Sequence, residues 1–212
     1  MIFKKFIQIL KREVFFLSKR LSRSERRSEI LNKSLEIISE KGFYNLTIRN
    51  IAAEINISEA AVYRHFKNKK EIVSMLAEEF FSYDKEINNL NKEKKSFEKL
   101  REIILFQLKL FSENPLMTAI TFQEEIFREY PEIWSKFNSH REKREELIKN
   151  IIKAGKEKGE IKDSIDSESF STIFMGTIRM TVIKWRGSNF EYSILKKGEE
   201  IIKQLEYFLK KR

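Results

Sequence analysis

Residues 55–72 of the chain read INISEAAVYRHFKNKKEI and set Ser, Tyr, Arg, His and three Lys around a short apolar skeleton. Asn is the residue other than glycine that best tolerates a left-handed backbone, so Asn56 predicts a tight turn. Ser58 is then in place to cap a short helix that reaches about His65. The segment therefore predicts a tight turn that leads directly into a short helix.

The residues before this turn predict two more helices. Ser22 and Glu25 form a capping box, and Gly42 ends the helix that begins there. Thr47 is placed to cap a second, short helix that ends at the turn. Two short helices joined by a tight turn form a helix-turn-helix, whose second helix can lie in the major groove of DNA.

The helix that opens at Ser58 has one apolar and one polar face. Val62 and Phe66 are four residues apart, and we expect them to pack on Ile51 and Ile55. The side chains that then point outward are Glu59, Ala60, Tyr63 and Arg64. This outer face is the part of the motif that is predicted to meet DNA.

The chemistry of the outer face fits a DNA duplex. Ala60 and Ala61 are small enough to let the backbone approach base edges and thymine methyls, and Glu59 can accept from a cytosine amino group. The side chains suited to phosphate oxygens are Tyr63, His65 and Lys69. The amino end of the helix that follows Asn68 is a further anion site, because its N–H groups point outward.

The positive charge of the protein lies mainly in its first third. The net charge is +10; residues 1–22 carry six basic side chains and one acidic, residues 23–70 ten and six, and residues 71–212 26 and 25. Pooled Lys and Arg raise the electrostatic potential where phosphates dock. The charge distribution therefore favours an N-terminal part that binds a polyanion; a basic surface that only keeps the protein in solution is the alternative.

The composition favours an all-α protein. Hydrophobic residues make up 41% of the 212, and there are only six Gly and two Pro. Helical spacing recurs in residues 69–90, 96–113, 167–186 and 192–210. We expect an N-terminal three-helix helix-turn-helix DNA-binding domain at 23–69 and a larger C-terminal helical ligand-binding and dimerisation domain at 70–212.

Residues 1–22 are predicted to form an amphipathic N-terminal extension helix. Apolar residues recur at spacings of three and four, and Lys and Arg interrupt every apolar run. The segment therefore fits neither a transmembrane span nor a signal peptide. We favour a helix docked on its own chain or on a partner subunit; an interfacial membrane helix is the alternative.

The residue types needed for metal, cofactor or enzyme chemistry are sparse. The chain has no Cys, and its two His lie at positions 65 and 140, so neither a thiolate nor a histidine metal site is predicted. No glycine-rich phosphate loop and no nucleophile with its base is recognisable. The sequence predicts a protein that is not an enzyme, holds no cofactor and resides in the reducing cytoplasm.

The segment TIRNIAAEINISEAAVYRHFKNKKEI, residues 47–72, resembles the DNA-binding domain of the TetR family of bacterial transcriptional regulators. The residues that carry the resemblance are Thr47, Ile51, Ala52, Ser58, Tyr63, His65, Phe66 and Lys69. Asn56 departs from the family pattern, which usually has Gly in the turn, and the N-terminal extension is a second departure. The match extends over about residues 25–75.

The resemblance implies roles for individual residues in DNA binding. It implies base contacts from Arg49, Glu59, Ala60 and Ala61, and phosphate contacts from Thr47, Tyr63, His65 and Lys69; Ser58 and Arg64 complete the predicted set. A structural role is the alternative for some of these side chains, with Thr47 and Ser58 only capping helices and His65 only bracing the turn. The implied function is a ligand-responsive repressor that binds a near-palindromic operator as a homodimer. A sequence-nonspecific architectural DNA-binding protein and a membrane-surface regulator are the alternatives.

The resemblance also implies a ligand cavity and a dimer interface in the larger domain. The predicted pocket for a small, lipophilic effector comprises Phe106, Phe111, Phe122, Phe127, Trp134, Phe174, Met175 and Arg179. Arg179 is the candidate anchor for a ligand carboxylate, and a buried Arg paired with a structural Glu is the alternative. The predicted dimer interface comprises Gly176, Ile183, Ile201, Leu205 and Phe208. Gly176 lies inside a predicted helix, where Gly costs about 1 kcal/mol relative to Ala, and therefore indicates a close helix contact.

Overall fold

The computed structural model describes residues 21–82, 93–121 and 127–210. Within these ranges the chain forms helices α1 (Arg23–Lys41), α2 (Ile48–Glu54), α3 (Glu59–Tyr63), α4 (Lys69–Ser82), α5 (Ser96–Glu113), α6 (Thr118–Thr121), α7 (Pro131–Glu157), α8 (Ser167–Gly187) and α9 (Ile194–Leu209). Short 3₁₀ turns at Phe43–Asn45 and Pro115–Met117 precede α2 and α6. The predicted all-α class is confirmed, since these ranges contain no strand and only an isolated bridge between Ile161 and Lys210.

The first helices begin where the sequence predicts their caps. The backbone N–H of Glu25 donates to Oγ of Ser22 at 3.2 Å, and the carboxylate of Glu25 accepts from the Ser22 N–H at 2.7 Å. Oγ1 of Thr47 accepts from the backbone N–H of Asn50 at 3.0 Å. Each cap satisfies N–H groups that a helix start leaves without a partner, which fixes α1 and α2 at the predicted residues.

The predicted helix-turn-helix is present in α2 and α3. Asn56 has φ 53°, the left-handed conformation that the turn requires. Oγ of Ser58 accepts from the backbone N–H of Ala61 at 3.1 Å and caps α3. Val62 and Phe66 are buried in the same cluster as Ile51, so the inner face of α3 packs on α2 as expected.

One hydrophobic core joins the helix-turn-helix to part of the C-terminal chain. It contains buried residues of α1 to α4 together with Met117, Ala119, Ile120, Phe127 and Ile133. These last residues come from the segment around α6 and the start of α7. The predicted domain boundary near residue 70 therefore does not separate two hydrophobic cores.

A second core lies between α5, α7, α8 and α9. Leu100, Ile148, Phe174 and Ile202 are among its buried members. Pro115 and Pro131 both stand in first helical turns, as the sequence predicts, because proline lacks the N–H that is unpaired there. The second core holds the long C-terminal helices together and leaves one face of α8 outside it.

The glycines differ from the sequence prediction. A Cβ at Gly176 would meet no atom of the described residues within 4 Å, so the predicted close helix contact is not made with the described part of its own chain. A Cβ at Gly198 would lie 2.5 Å from Cδ1 of Leu108, and one at Gly155 would lie 2.6 Å from Cδ1 of Ile161. Gly155 lies in the last turn of α7, and Gly159, with φ 69°, follows the helix.

Several predictions fall outside the described residues. These are residues 1–20 of the extension helix predicted at 1–22, the end of the helix predicted to reach residue 90, and Phe122. In the part of the chain that the structure covers, no helix is long and apolar enough to cross a membrane.

Candidate functional site

The outer face of α3 is open to solvent along its length. Glu59, Ala60, Tyr63 and Arg64 are exposed, and Ala61 is half-buried. Because the inner face of α3 is sealed against α2, these side chains point away from the protein. The arrangement is compatible with an α3 that enters a groove.

The predicted contacts beside α3 have mixed surroundings. Thr47 and Ser58 are exposed, and the hydroxyl of each already accepts a backbone N–H as a helix cap. Such a hydroxyl can still donate to a phosphate oxygen. Arg49 is exposed on the first turn of α2. The structure therefore leaves Thr47, Arg49 and Ser58 each accessible from solvent.

Lys69 differs from the picture of a solvated phosphate contact. Its Nζ lies 3.9 Å from the ring centroid of Phe43, and burial lowers the pKa of Lys69. The side chain thus packs on an aromatic face, a favourable position for a cation. Next to Phe43, Tyr44 is 88% exposed. The sequence reasoning missed Tyr44; a large aromatic residue in the short loop before the Thr47 cap was the available signal.

The turn after α3 is held by Asn68 and Glu71. The backbone N–H of Glu71 donates to Oδ1 of Asn68 at 3.0 Å, which confirms the predicted cap of α4. The Glu71 carboxylate accepts from the backbone N–H of Lys67 at 2.7 Å, and this hydrogen bond holds the pKa of Glu71 below its usual value. Part of the amino end of α4 is therefore satisfied by its own side chains.

His65 lies in a strongly positive environment at the end of α3. Burial lowers its pKa below the usual 6.5, and the charges of Arg23, Arg26, Arg27 and Arg64 lower it further. Nδ1 is buried and has no hydrogen-bond partner among the described residues. His65 is therefore neutral at pH 7, and contact with a phosphate would involve Nε2.

The environment of His65 gives a pH prediction. A DNA phosphate beside the ring would raise the pKa of His65, so binding would take up a proton at pH values between the lowered pKa of the free protein and the higher pKa of the complex. If α3 binds DNA, we expect the affinity for DNA to rise as the pH falls through this window, by at most about tenfold per pH unit for each His65 in the complex. Fluorescence anisotropy with labelled duplex DNA measures this dependence. His65→Asn should remove it, and an unchanged pH profile in that variant would leave His65 only a structural brace.

The predicted ligand-pocket residues that the structure describes are divided between the two cores. Phe111 and Phe174 are buried in the second core, with Phe106 and Met175 partly buried against it. Phe127 is buried in the first core, and Trp134 packs against it. Arg179 lies on the exposed face of α8, so the expectation that it is buried is wrong.

An aromatic cluster lies where α4 meets α7. The ring centroids of Phe127 and Phe137 are 5.0 Å apart, and those of Trp134 and Phe137 are 5.9 Å apart. Phe81 stacks on His140 with centroids 4.2 Å apart and rings nearly parallel. An open groove beside this stack is lined by Glu78, Phe81, Ser135, Lys136, Ser139, His140 and Lys143. The groove is bordered by α4, the helix that follows the helix-turn-helix in the chain.

The predicted dimer residues are mostly exposed. Gly176, Ile183 and Phe208 are exposed, Ile201 is partly buried, and Leu205 is buried within its own chain. The sequence reasoning missed two exposed neighbours on α8, Ile173 (58% exposed) and Met180 (52%). Residues 173, 176, 180 and 183 follow one another at spacings of three and four, which places them on one helix face. We call these four residues the α8 stripe.

Two family profiles match consecutive parts of the chain. Residues 30–76 match the profile described as bacterial regulatory proteins, tetR family, and residues 78–206 match that of the YsiA-like protein, C-terminal region. The Fatty acid metabolism regulator protein of Bacillus subtilis (strain 168) is 25% identical over 179 residues, which cover 84% of this chain and 92% of that protein. Nucleoid occlusion factor SlmA of Serratia proteamaculans (strain 568) is 32% identical over 136 residues, 62% of this chain and 68% of that protein.

Solved structures of regulators share the fold. The ketosteroid transcriptional regulator KstR2 of Mycobacterium tuberculosis superposes with a TM-score of 0.77 at 17% identity and covers 92% of this chain and 98% of its own. FadR from Bacillus subtilis in complex with stearoyl-CoA gives 0.68 at 23% identity, with 85% and 98% covered. At these identities the likeness supports a shared architecture, an N-terminal helix-turn-helix followed by a helical domain.

Proposed function

The chain belongs to the TetR family of bacterial regulatory proteins, and from this premise we propose that it is a ligand-responsive transcriptional repressor that binds a near-palindromic operator as a homodimer. The main support for the proposal is the exposed outer face of α3. The inner face of this helix packs on α2, and arginines lie near its end. Its Ala, Glu, Tyr and Arg side chains suit base edges and phosphates. A regulator of this kind acts on the chromosome, so we place it in the cytoplasm.

Dimerisation would set the spacing of the two recognition helices. The α8 stripe exposes three large apolar side chains around Gly176, and a second copy related by a twofold axis would cover the same surface on both subunits. Two copies would present their α3 helices to successive major grooves, roughly 34–36 Å apart. The glycine would then allow the close approach that it does not make inside its own chain.

The contacts between the C-terminal helices and the DNA-binding helices support regulation by a ligand. Nη1 of Arg186, near the end of α8, lies 3.3 Å from the carbonyl oxygen of Thr118 in α6. Ile120 of α6 is fully buried in the core of the helix-turn-helix. Two ion pairs, Lys70–Glu132 and Lys136–Glu78, join α4 to α7. A rearrangement of the C-terminal helices would therefore shift α1 and α4, because packed interfaces transmit displacement.

We take the effector to be an amphipathic molecule with a long apolar chain, such as a long-chain acyl thioester. The B. subtilis relative is named a fatty acid metabolism regulator, and the FadR structure contains stearoyl-CoA. The aromatic residues around Phe137 offer apolar surface for such a chain next to α4. To release DNA, the effector must bind more tightly to the geometry that does not fit the operator, and DNA must weaken effector binding by the same factor.

A sequence-nonspecific role on the chromosome is the second candidate. It is favoured by the relatives named nucleoid occlusion factors and by the concentration of positive charge in the first third of the chain. Nonspecific binding depends almost entirely on phosphate contacts and therefore falls steeply with salt for every sequence alike. A repressor adds base contacts that favour its own site.

Operator selection followed by competition tests the proposed function. Enrichment from a random DNA library should yield a near-palindromic site, and at a stated salt concentration the protein should prefer that site over random duplex by about 10³-fold or more. Addition of stearoyl-CoA should release the selected site. Equal affinity for selected and random DNA would support the nonspecific role, and no DNA affinity at low salt would exclude both. Retention of the site in the presence of acyl thioesters would leave the repressor role but exclude this effector class.

A further inference from the structure

Arg27 of α1 contacts both the end of the recognition helix and the start of α4. Its Nη1 donates to the carbonyl oxygen of His65, directly after α3. Its Nη2 lies 2.6 Å from Sδ of Met75 and 3.4 Å from Oε1 of Glu71, both on α4. The guanidinium carbon lies 4.2 Å from the ring centroid of the buried Phe66. One side chain thus bridges three helices.

Glu71 extends this bridge to the turn between α3 and α4. Its Oε1 faces Arg27, while its Oε2 accepts from the backbone N–H of Lys67 at 2.7 Å. Arg27 therefore binds one backbone group of the turn directly and another through Glu71. The orientation of α3 relative to α4 depends on these polar contacts as well as on Val62 and Phe66.

The guanidinium group suits this position for a physical reason. Its planar fork presents several N–H donors in fixed directions and can stack on an aromatic ring at the same time. Lysine carries the same charge on a single point and cannot make these contacts together. Because a hydrogen bond to a charged group is stronger than a neutral one, losing it should loosen the end of α3 measurably.

We propose that Arg27 is a positioning residue that fixes the recognition helix to α4 and so provides the single orientation that sequence-selective DNA binding requires. The inference rests on the proposed function and adds a residue that lies behind the DNA-facing surface. Arg27 acts through α3 rather than through a base. It also lies on the route by which a displacement of α4 reaches α3.

Arg26 offers a matched control. It is adjacent to Arg27 in the chain, and the two side chains are equally exposed at 26%. Arg26 pairs with Glu29 on its own helix at 2.5 Å, whereas Arg27 reaches His65 and Glu71. Arg26→Gln and Arg27→Gln therefore remove the same charge from adjacent and equally exposed positions, and only the second removes the bridge.

The experiment compares the affinity for selected operator with that for random duplex in the wild type, Arg27→Gln, Arg27→Lys and Arg26→Gln. We expect the operator preference to fall about tenfold or more in both Arg27 variants. Arg26→Gln should weaken both DNAs together and leave the preference unchanged, because it removes only a general electrostatic attraction. Arg27→Lys keeps the positive charge, so a loss of operator preference in this variant would be due to positioning and not to electrostatics. This variant also replaces Arg27→Gln in the test if Arg27→Gln folds poorly.

Amide hydrogen exchange in the protein without DNA gives a second readout. Amides of residues 59–66 should exchange about tenfold faster in the Arg27 variants than in Arg26→Gln, since their local opening would cost less. The inference would be overturned if both Arg27 variants had the same operator preference and the same amide exchange rates as Arg26→Gln. A different result would refute the proposed function instead: the wild type shows no operator preference, while the Arg27 variants still show faster exchange than Arg26→Gln. Arg27 would then only stabilise the helix-turn-helix.

Discussion

Replacing Met180 by Asp is expected to give a monomer whose operator affinity is lower by about 100-fold or more. Met180 is exposed at the centre of the α8 stripe, between Gly176 and Ile183. In a twofold dimer, each subunit would place one introduced carboxylate in the apolar interface formed by the two α8 stripes. Like charges brought together in an interface, with their hydration removed, cost several kcal/mol.

The loss of DNA binding follows from the geometry of the dimer. A dimer binds two half-sites with one association event, whereas a monomer must find each half-site separately. The base contacts of α3 remain intact in the monomer, so weak binding to a single half-site should persist. Analytical ultracentrifugation measures the mass, and anisotropy on full and half operators measures the two affinities.

Asn150→Asp provides the control for added charge. Asn150 is exposed on α7, a different helix from the one that carries the α8 stripe, and the change introduces the same carboxylate. This variant should stay dimeric and bind the operator as the wild type does. A dimeric Met180→Asp protein with full affinity would show that subunits associate through another surface.

Replacing Gly155 by Ala is expected to lower the free energy of unfolding by about 1–3 kcal/mol. The added Cβ would lie 2.6 Å and 2.8 Å from Cδ1 and Cγ1 of Ile161 and 2.9 Å from Cβ of Ser96. Ile161 is fully buried, and the Ser96 contact is with an atom attached directly to the backbone. The side chain of Ile161 alone therefore cannot relieve the overlap.

The same substitution would disturb polar contacts at this corner. The carbonyl oxygen of Gly155 accepts from the N–H of Glu160 at 2.8 Å, and the Glu160 carboxylate accepts from the N–H of Ser96 at 2.7 Å. That second hydrogen bond holds the pKa of Glu160 below its usual value. Separation of α5 from α7 would weaken it, so the destabilisation should be largest above pH 5 or so, where the carboxylate is charged.

Gly176→Ala is the matched control for Gly155→Ala. Both glycines lie within long helices, but a methyl at Gly176 would meet no atom within 4 Å in the described part of the chain. Because alanine has a higher helix propensity than glycine, Gly176→Ala should raise the free energy of unfolding by up to about 1 kcal/mol. Both changes are best measured by urea denaturation in the Met180→Asp monomer, where subunit contacts do not contribute. Equal effects at the two positions would contradict the close approach of α7 to Ile161.

Much of the DNA-binding region could be predicted because its signals are local. Ser22, Thr47, Ser58 and Asn68 cap helices through contacts three residues away, and Asn56 takes the left-handed conformation by its own backbone preference. The inner face of α3 follows from the spacing of Val62 and Phe66. These interactions need no knowledge of the rest of the chain, so their residue types and spacing are sufficient.

The surroundings of single polar residues could not be predicted in the same way. Lys69 packs on Phe43, and Arg27 reaches across to His65 and Glu71, which lie 38 and 44 positions further along the chain. Arg179 is exposed although its neighbours in sequence are apolar. Each of these outcomes depends on which helices meet, and a helical periodicity does not specify the partner of a face.

By itself the sequence determined the all-α class, the positions of the helix starts, the tight turn at Asn56 and the outward face of α3, because each depends on residues within about one or two helical turns. Only the tertiary structure decided that the segment around α6 shares a core with the helix-turn-helix, and that Gly155 and Gly198 rather than Gly176 face close neighbours within the chain. Those features arise from packing between distant segments, where the volume and direction of facing side chains select one arrangement among many with the same hydrophobic pattern.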